Sequence, residues 1–222
     1  MRTIAASGTT DDGSRPGVIR DRIRVVAALA VLYGIAVALG AMSSPGYRHA
    51  CGIVDLGHAL VPSLKDAVGE RTAEYVWWLG TLPLELLFIV LVVVVLATGR
   101  CVRLALCLFA MYAFHWLVAL VTVLPAPDGI VWHFPPDVVT LGKPFASDFW
   151  FSGHVANALV VALATRGGPR WMRAIAWAGV PFETLLVLTT RTHYSIDVIG
   201  GLFVGYTTHR ISLDLCAGGE GA

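Results

Sequence analysis

Residues 75–97, Tyr-Val-Trp-Trp-Leu-Gly-Thr-Leu-Pro-Leu-Glu-Leu-Leu-Phe-Ile-Val-Leu-Val-Val-Val-Val-Leu-Ala, decide the fold of this chain. Glu85 is the one charged side chain in the stretch. At a rise of about 1.5 Å per residue, a helix of this length spans the roughly 30 Å of hydrocarbon in a bilayer. The stretch therefore predicts a transmembrane helix.

Five further apolar stretches surround this one. They cover residues 25–42, 104–124, 155–165, 171–189 and 194–212, of which 155–165 is the shortest. Hydrophobic residues make up 56% of the chain and charged residues 14%, a balance unlike that of soluble proteins. The sequence predicts an all-α integral membrane protein, folded as a bundle of six transmembrane helices.

The same stretches divide the chain into regions. Residues 1–24 lack hydrophobic periodicity and are predicted to be a flexible cytoplasmic tail. Residues 25–213 form one six-helix catalytic domain in the membrane, and residues 214–222 a flexible C-terminal tail. Small residues follow the first apolar stretch, so a cleaved signal peptide is an alternative for 25–42, although its apolar core exceeds the usual length.

The distribution of basic residues predicts the topology. Most of the 16 lysines and arginines lie in the N-terminal tail and in the short links after the second and fourth apolar stretches. Basic links stay on the cytoplasmic side. Both termini are therefore expected in the cytoplasm of a multi-pass cell-membrane protein, and the longer links 43–74 and 125–151 outside. The 16 basic residues are balanced by 15 acidic residues, so the net charge does not indicate binding to nucleic acid.

Two polar clusters occur where helices enter the membrane from the outer side. The first runs from Asp148 to Ser152, Gly153 and His154, and the second contains Arg191, His193 and Asp197. His193 and Asp197 are four residues apart, which places both on one helix face and lets the carboxylate accept from the imidazole. Ionisable residues at one bilayer depth are costly to keep without a function.

This combination indicates phosphoryl transfer. Two histidines on opposite sides of a phosphorus atom permit one to attack while the other protonates the departing oxygen. This chemistry requires no metal and no cofactor. Arg191 is the candidate phosphate clamp and Lys143 a second one, although either could simply anchor at the interface. A single histidine at a helix end is most often an interfacial polar residue, so the prediction depends on the whole cluster.

The two motifs resemble those of a known family. Ser152-Gly153-His154 after Asp148 is similar to one motif of the sphingomyelin synthase group within the type 2 phosphatidic acid phosphatase superfamily, and His193-Tyr194-Ser195-Ile196-Asp197-Val198 is similar to another. The resemblance implies a six-helix membrane enzyme with a catalytic triad of His154, His193 and Asp197. His193 would be the nucleophile oriented by Asp197, and His154 the group that transfers protons. Asp148, Ser152 and Gly153 would contribute to substrate binding.

Departures from the motifs separate the branches of that superfamily. Its lipid phosphatases place an arginine six residues before the second histidine, where this chain has Val187, and their Lys-x6-Arg-Pro motif is missing. The resemblance thus favours a synthase-like enzyme. However, His115 stands where the synthases have an arginine, and Val155 where they have a threonine.

The predicted activity follows from these residues and from the resemblance. The enzyme would cleave a membrane phospholipid through a phosphohistidine and transfer the headgroup to a lipid hydroxyl such as that of ceramide. With water as acceptor it would act like a phospholipase C. A lipid phosphate phosphatase is the first alternative, and a non-catalytic lipid-binding or transport protein the second.

Overall fold

The computed structural model describes residues 53–98, 101–121, 124–131 and 150–217, together with scattered positions between 23 and 34. Within these ranges the regular structure is helical and contains no β-strand. The helices are α1 Leu56–Leu60, α2 Leu64–Val68, α3 Glu70–Thr98, α4 Val102–Val121, α5 Gly153–Ala164, α6 Arg170–Thr189 and α7 Ser195–Ala217. A short 3₁₀ turn, Thr165–Gly167, links α5 to α6. The all-α prediction is confirmed for the described residues.

Helices α3 to α7 coincide with five of the six predicted stretches, within a few residues at each end. Two of them, α3 and α6, have the length and apolar composition needed to cross a membrane. Helix α5 has 12 residues, which corresponds to roughly 18 Å and is shorter than the hydrocarbon core. The full six-helix bundle and its topology stay predictions. The stretch 25–42 falls mostly outside the described residues, as do both predicted tails for most of their length.

Helix α5 lies at the centre of the described bundle. It packs against α4, α6 and α7, and most of its residues are buried. The main core cluster joins Leu108 and Met111 of α4, Ala156 and Val160 of α5, and Val204 of α7. Because α5 is enclosed on several sides, the position of its first residues is tightly determined.

Glycines on α7 allow close contact with α5. A Cβ atom at Gly201 would lie 2.6 Å from the carbonyl oxygen of Ser152, and one at Gly205 would lie 2.8 Å from that of Ala156. Neither distance is tolerated without movement of the backbone. The first half of α7 therefore packs directly on the start of α5, because Gly201 and Gly205 carry no side chains.

Large apolar side chains are exposed along the outer faces of the long helices. Examples are Leu79, Ile89 and Val93 on α3, Ile175, Phe182 and Leu185 on α6, and Ile196, Ile199 and Phe203 on α7. So many large exposed apolar side chains on neighbouring turns of long helices are uncommon on soluble monomers. It indicates that these faces contact lipid.

We predict that Gly201→Ala lowers stability by about 1–3 kcal/mol, because the added methyl group overlaps a backbone carbonyl. Gly179→Ala is the matched control, since a Cβ at this position of α6 meets nothing within 4 Å. It should be neutral or stabilise by about 0.5–1 kcal/mol. Thermal unfolding in detergent measures both variants, and equal melting temperatures for the two would contradict the close packing of α7 on α5.

Candidate functional site

The loop between α6 and α7 is a compact hydrogen-bonded turn. The Thr190 hydroxyl donates to the Leu186 carbonyl at 2.6 Å, and the Thr192 N–H donates to the Val187 carbonyl at 3.0 Å. Arg191 between them has a φ of 57°, in the left-handed region that non-glycine residues rarely occupy. These constraints fix the direction in which the chain leaves the turn at His193.

His193 and Asp197 are in contact, but the prediction that both lie on one helix face is wrong, because His193 lies in the loop before α7 begins at Ser195. The Nδ1 atom of His193 lies 3.2 Å from Oδ2 of Asp197, and the same oxygen accepts the Tyr194 N–H at 2.9 Å. Since a carboxylate only accepts, the proton of the neutral imidazole lies on Nδ1. The lone pair of His193 is then on Nε2.

The carboxylate of Asp197 is fully buried. Its second oxygen, Oδ1, has no hydrogen-bond partner among the described residues. A buried polar atom without a partner is costly, so its presence calls for an explanation. An acceptor of high charge density beside His193 stabilises the imidazolium form, which a proton-transfer or nucleophilic cycle passes through.

The second histidine motif meets the first at the start of α5. The Ser152 N–H donates to the Asp197 carbonyl at 2.8 Å, and the Ser152 hydroxyl caps α5 by accepting the Val155 N–H at 3.4 Å. His154 lies in the first turn of α5, with its ring 5.0 Å from that of Trp77. Val155 packs against Val198 in one buried cluster. The two motifs therefore occupy one region of the molecule, next to the positive end of the α5 dipole.

Arg191 lies partly buried beside this region. Its Nη2 donates to the Val61 carbonyl at 2.9 Å. Its Nη1 is buried and has no hydrogen-bond partner among the described residues. A guanidinium with an unsatisfied donor suits an anionic oxygen. The predicted residues Asp148 and Lys143 lie outside the described residues.

Sequence reasoning missed two polar residues that contact this loop. Asp55 accepts the Ser195 N–H at 2.9 Å and the Ser195 hydroxyl at 2.8 Å. His58 Nε2 lies 2.8 Å from the His193 carbonyl oxygen. Asp55 is a typical N-cap residue, but no local pattern indicates that α1 contacts a loop more than a hundred residues away.

Burial and hydrogen bonding shift the pKa values of both residues. Burial lowers the pKa of His58 below its usual 6.5, and the charge of Arg191 lowers it further against the opposing effects of the His193 carbonyl and the nearby carboxylates. Burial opposes ionisation of Asp55, but the N–H groups of His58 and Ser195 together with the Ser195 hydroxyl hold its pKa below the usual 3.8. At neutral pH, Asp55 is therefore ionised and His58 neutral.

The described residues contain no group of three or more histidine, cysteine or acidic side chains placed to hold a metal ion. The polar groups of this region are a histidine–aspartate pair, a second histidine at a helix start and an arginine. This set can bind a phosphate oxygen, attack phosphorus and transfer a proton.

Comparison with protein families matches residues 54–213, most of the chain, to the model of AtPDCT1/2. AtPDCT1/2 is a phosphatidylcholine:diacylglycerol cholinephosphotransferase family of membrane lipid enzymes. Searches of curated proteins and of solved structures found no match. The match confirms the prediction of a membrane lipid phosphotransferase at that general level.

The family assignment made from the sequence is wrong. AtPDCT1/2 is a different family from the sphingomyelin synthases, and the match is not to the type 2 phosphatidic acid phosphatase superfamily. The error has a physical cause, because paired histidine motifs suit any transfer of a phosphoryl group through a phosphohistidine. They carry no information about the acceptor lipid, so ceramide has no support here.

We predict that stability falls as the pH is lowered from about 7.5 to about 5.5. The unfolded chain takes up the His58 proton below about pH 6.5, whereas the folded chain, with its lower pKa, does not, so acid favours unfolding. His58→Gln should flatten this dependence, because glutamine does not titrate. Melting temperatures across the range test this, and identical slopes for wild type and variant would contradict it. Asp55 titrates below this window.

Proposed function

Because the chain belongs to the AtPDCT1/2 family, we propose that it moves the phosphocholine headgroup of phosphatidylcholine to the hydroxyl of a diacylglycerol. We propose His193 as the nucleophile, Asp197 as the residue that orients it and His154 as the group that transfers protons. The observation that supports this assignment is the 3.2 Å contact between His193 Nδ1 and the buried carboxylate of Asp197. With the proton on Nδ1, the lone pair of the neutral ring is on Nε2, the nitrogen we propose for the attack.

In the first half-reaction, Nε2 of His193 attacks the phosphorus of phosphatidylcholine. The bond between phosphorus and the diacylglycerol oxygen breaks, and this oxygen takes a proton from His154 as it leaves. Phosphocholine is then held on Nε2 of His193, and the positive charge of the imidazole ring is stabilised by Asp197. One diacylglycerol is released into the bilayer.

In the second half-reaction, a different diacylglycerol enters. Its hydroxyl gives a proton to His154, and its oxygen attacks the phosphorus. The phosphorus–nitrogen bond breaks, which restores His193 and releases a new phosphatidylcholine. The bond formed is of the same kind as the bond broken, so the exchange needs no external energy source. Its direction depends on the relative amounts of the two diacylglycerols.

Arg191 is proposed to bind the phosphate oxygens. Its buried Nη1, without a hydrogen-bond partner among the described residues, supports this role. A charge-assisted hydrogen bond at this position would stabilise the negative charge of the phosphorane-like transition state. The α5 start, with Ser152 and Gly153, would offer a favourable dipole to the same anion.

The remaining sequence predictions complete the proposal. Asp148 and Lys143 would lie on the headgroup side of the site. The site would open to the extracytoplasmic face of the cell membrane, in a bundle of six spans with both termini in the cytoplasm. A site at the bilayer surface suits this reaction, because the donor and the acceptor are both lipids whose reacting atoms lie at headgroup depth.

We predict that His193→Ala abolishes headgroup exchange, since no other group supplies the attacking nitrogen. Asp197→Asn should reduce kcat by roughly 10²-fold or more, because the amide cannot stabilise the imidazolium as a carboxylate does. The assay uses purified protein in proteoliposomes with phosphatidylcholine and a diacylglycerol of different acyl chains. Mass spectrometry then follows phosphatidylcholine carrying the acceptor's chains.

A matched control for this experiment is His209→Ala, which removes another buried histidine from the opposite part of α7. It should retain exchange. Full activity in His193→Ala would contradict the mechanism. Release of free phosphocholine without new phosphatidylcholine would show that water is the acceptor. The enzyme would then be a phospholipase C-like hydrolase and not a transferase.

We predict that Arg191→Met lowers kcat/KM by about 10–10²-fold, a loss of roughly 1.4–2.8 kcal/mol of transition-state stabilisation. Arg191→Lys should recover part of this, since lysine keeps the charge but loses the planar arrangement of donors. Steady-state kinetics of headgroup exchange measure both variants. Equal kcat/KM for wild type and Arg191→Met would show that this side chain has only a structural contact with Val61.

A further inference from the structure

Helix α1 is held to the α6–α7 loop by polar contacts. The helix has five residues, none of which is buried. Its apolar side chains face outward, with Leu56 70% and Leu60 74% exposed, and Val54 just before it is 94% exposed. A helix this short is not stable by itself, and it adds little to the core. Its position therefore depends on contacts at its ends and with the loop, which are hydrogen bonds, the His58 ring 5.7 Å from that of Tyr194, and Val61 packed on the buried cluster.

We propose that Asp55 and His58 are positioning residues that hold His193 in its reactive orientation. His58 acts on the backbone of His193, and Asp55 acts on Ser195 at the first residue of α7. The importance of this for catalysis rests on the proposed function of His193. The contacts themselves are independent of that function.

His58 holds the main chain of His193. Its Nε2 lies 2.8 Å from the His193 carbonyl oxygen. A carbonyl only accepts, so Nε2 carries the proton in this contact. His193 is then held at two points, at its carbonyl by His58 and at its ring by Asp197, which leaves its side chain little freedom to rotate.

Asp55 joins α1 to the residue at which α7 begins. One carboxylate oxygen accepts the His58 N–H at 2.9 Å and the Ser195 hydroxyl at 2.8 Å, and the other accepts the Ser195 N–H at 2.9 Å. The Ser195 hydroxyl in turn accepts the Gly57 N–H at 2.9 Å. A Cβ at Gly57 would overlap this hydroxyl, so the two segments touch directly.

These contacts explain why α1 affects the reaction without touching the phosphorus. A nucleophile must lie within a few tenths of an ångström of its attack position, and a displacement of about 1 Å costs on the order of 10²-fold in rate. Releasing the His193 carbonyl permits a displacement of this size. Substrate binding through Arg191 and the start of α5 remains, so the expected loss is in kcat and not in KM.

The experiment compares two substitutions of His58. His58→Leu removes the donor to the His193 carbonyl, whereas His58→Gln keeps an N–H near the position of Nε2. We expect kcat to fall by about 10–10²-fold in His58→Leu, with KM within about twofold, and to recover largely in His58→Gln. Equal kcat in wild type and His58→Leu, or no recovery in His58→Gln, would overturn the proposal.

A second pair of variants tests Asp55. Asp55→Asn weakens the contacts to Ser195 and should lower kcat in the same way. Asp66→Asn is its matched control, because Asp66 also lies at the start of a short helix but is exposed, and no described contact joins it to the α6–α7 loop. If His58→Leu fails to fold, Gly57→Ala separates the segments sterically without removing a polar group, and unchanged kcat in that variant would overturn the proposal.

Hydrogen exchange gives a readout that does not require activity. Backbone amides of residues 194–198 should exchange faster in His58→Leu and Asp55→Asn than in wild type and Asp66→Asn, since α1 no longer holds the loop. Unchanged protection would overturn the structural part of the inference. If the two variants exchange faster than wild type but the wild type shows no headgroup transfer from phosphatidylcholine, the role of α1 stands and the proposed function is rejected.

Discussion

Asp197 is the residue on which the rest of the site depends. Its carboxylate contacts the His193 ring and the Tyr194 N–H, and its backbone carbonyl accepts the Ser152 N–H. One buried residue therefore orients the proposed nucleophile, closes the turn into α7 and joins that turn to the start of α5. Because a buried carboxylate must be compensated by hydrogen bonds, these contacts are strongly coupled, and loss of one weakens the others.

The bundle around this residue permits the contact. Gly201 and Gly205 bring α7 onto the backbone of α5, and Val155 packs with Val187 and Val198 beneath the turn. The tight packing sets the relative depth of the two histidine motifs. On the outer faces, apolar side chains point away from the bundle, which is the arrangement expected for a lipid enzyme whose substrates enter from the bilayer.

The site is supported from outside the bundle as well. Helix α1 contributes no buried residue, yet its polar side chains reach the loop that carries His193. It is physically reasonable that the core and the support of the loop come from different segments, since a short segment held by a few hydrogen bonds can adjust a loop without disturbing the core. It also places a histidine whose pKa burial lowers next to the proposed nucleophile, which links acid stability to the geometry of the site.

The sequence by itself determined the helices and the local motif. Apolar stretches located α3 to α7, and the short separation of His193 and Asp197 indicated their contact, because both properties depend on neighbours along the chain. The turn before α7, and not a shared helix face, brings the two side chains together. The contacts of Asp55 and His58 with the loop, and of Ser152 with Asp197, were decided only by the tertiary structure. They join residues far apart in sequence, and no local periodicity records which distant backbone group a side chain will meet. The motifs also could not predict the acceptor lipid, since they describe the chemistry at phosphorus and not the surface that selects the lipid.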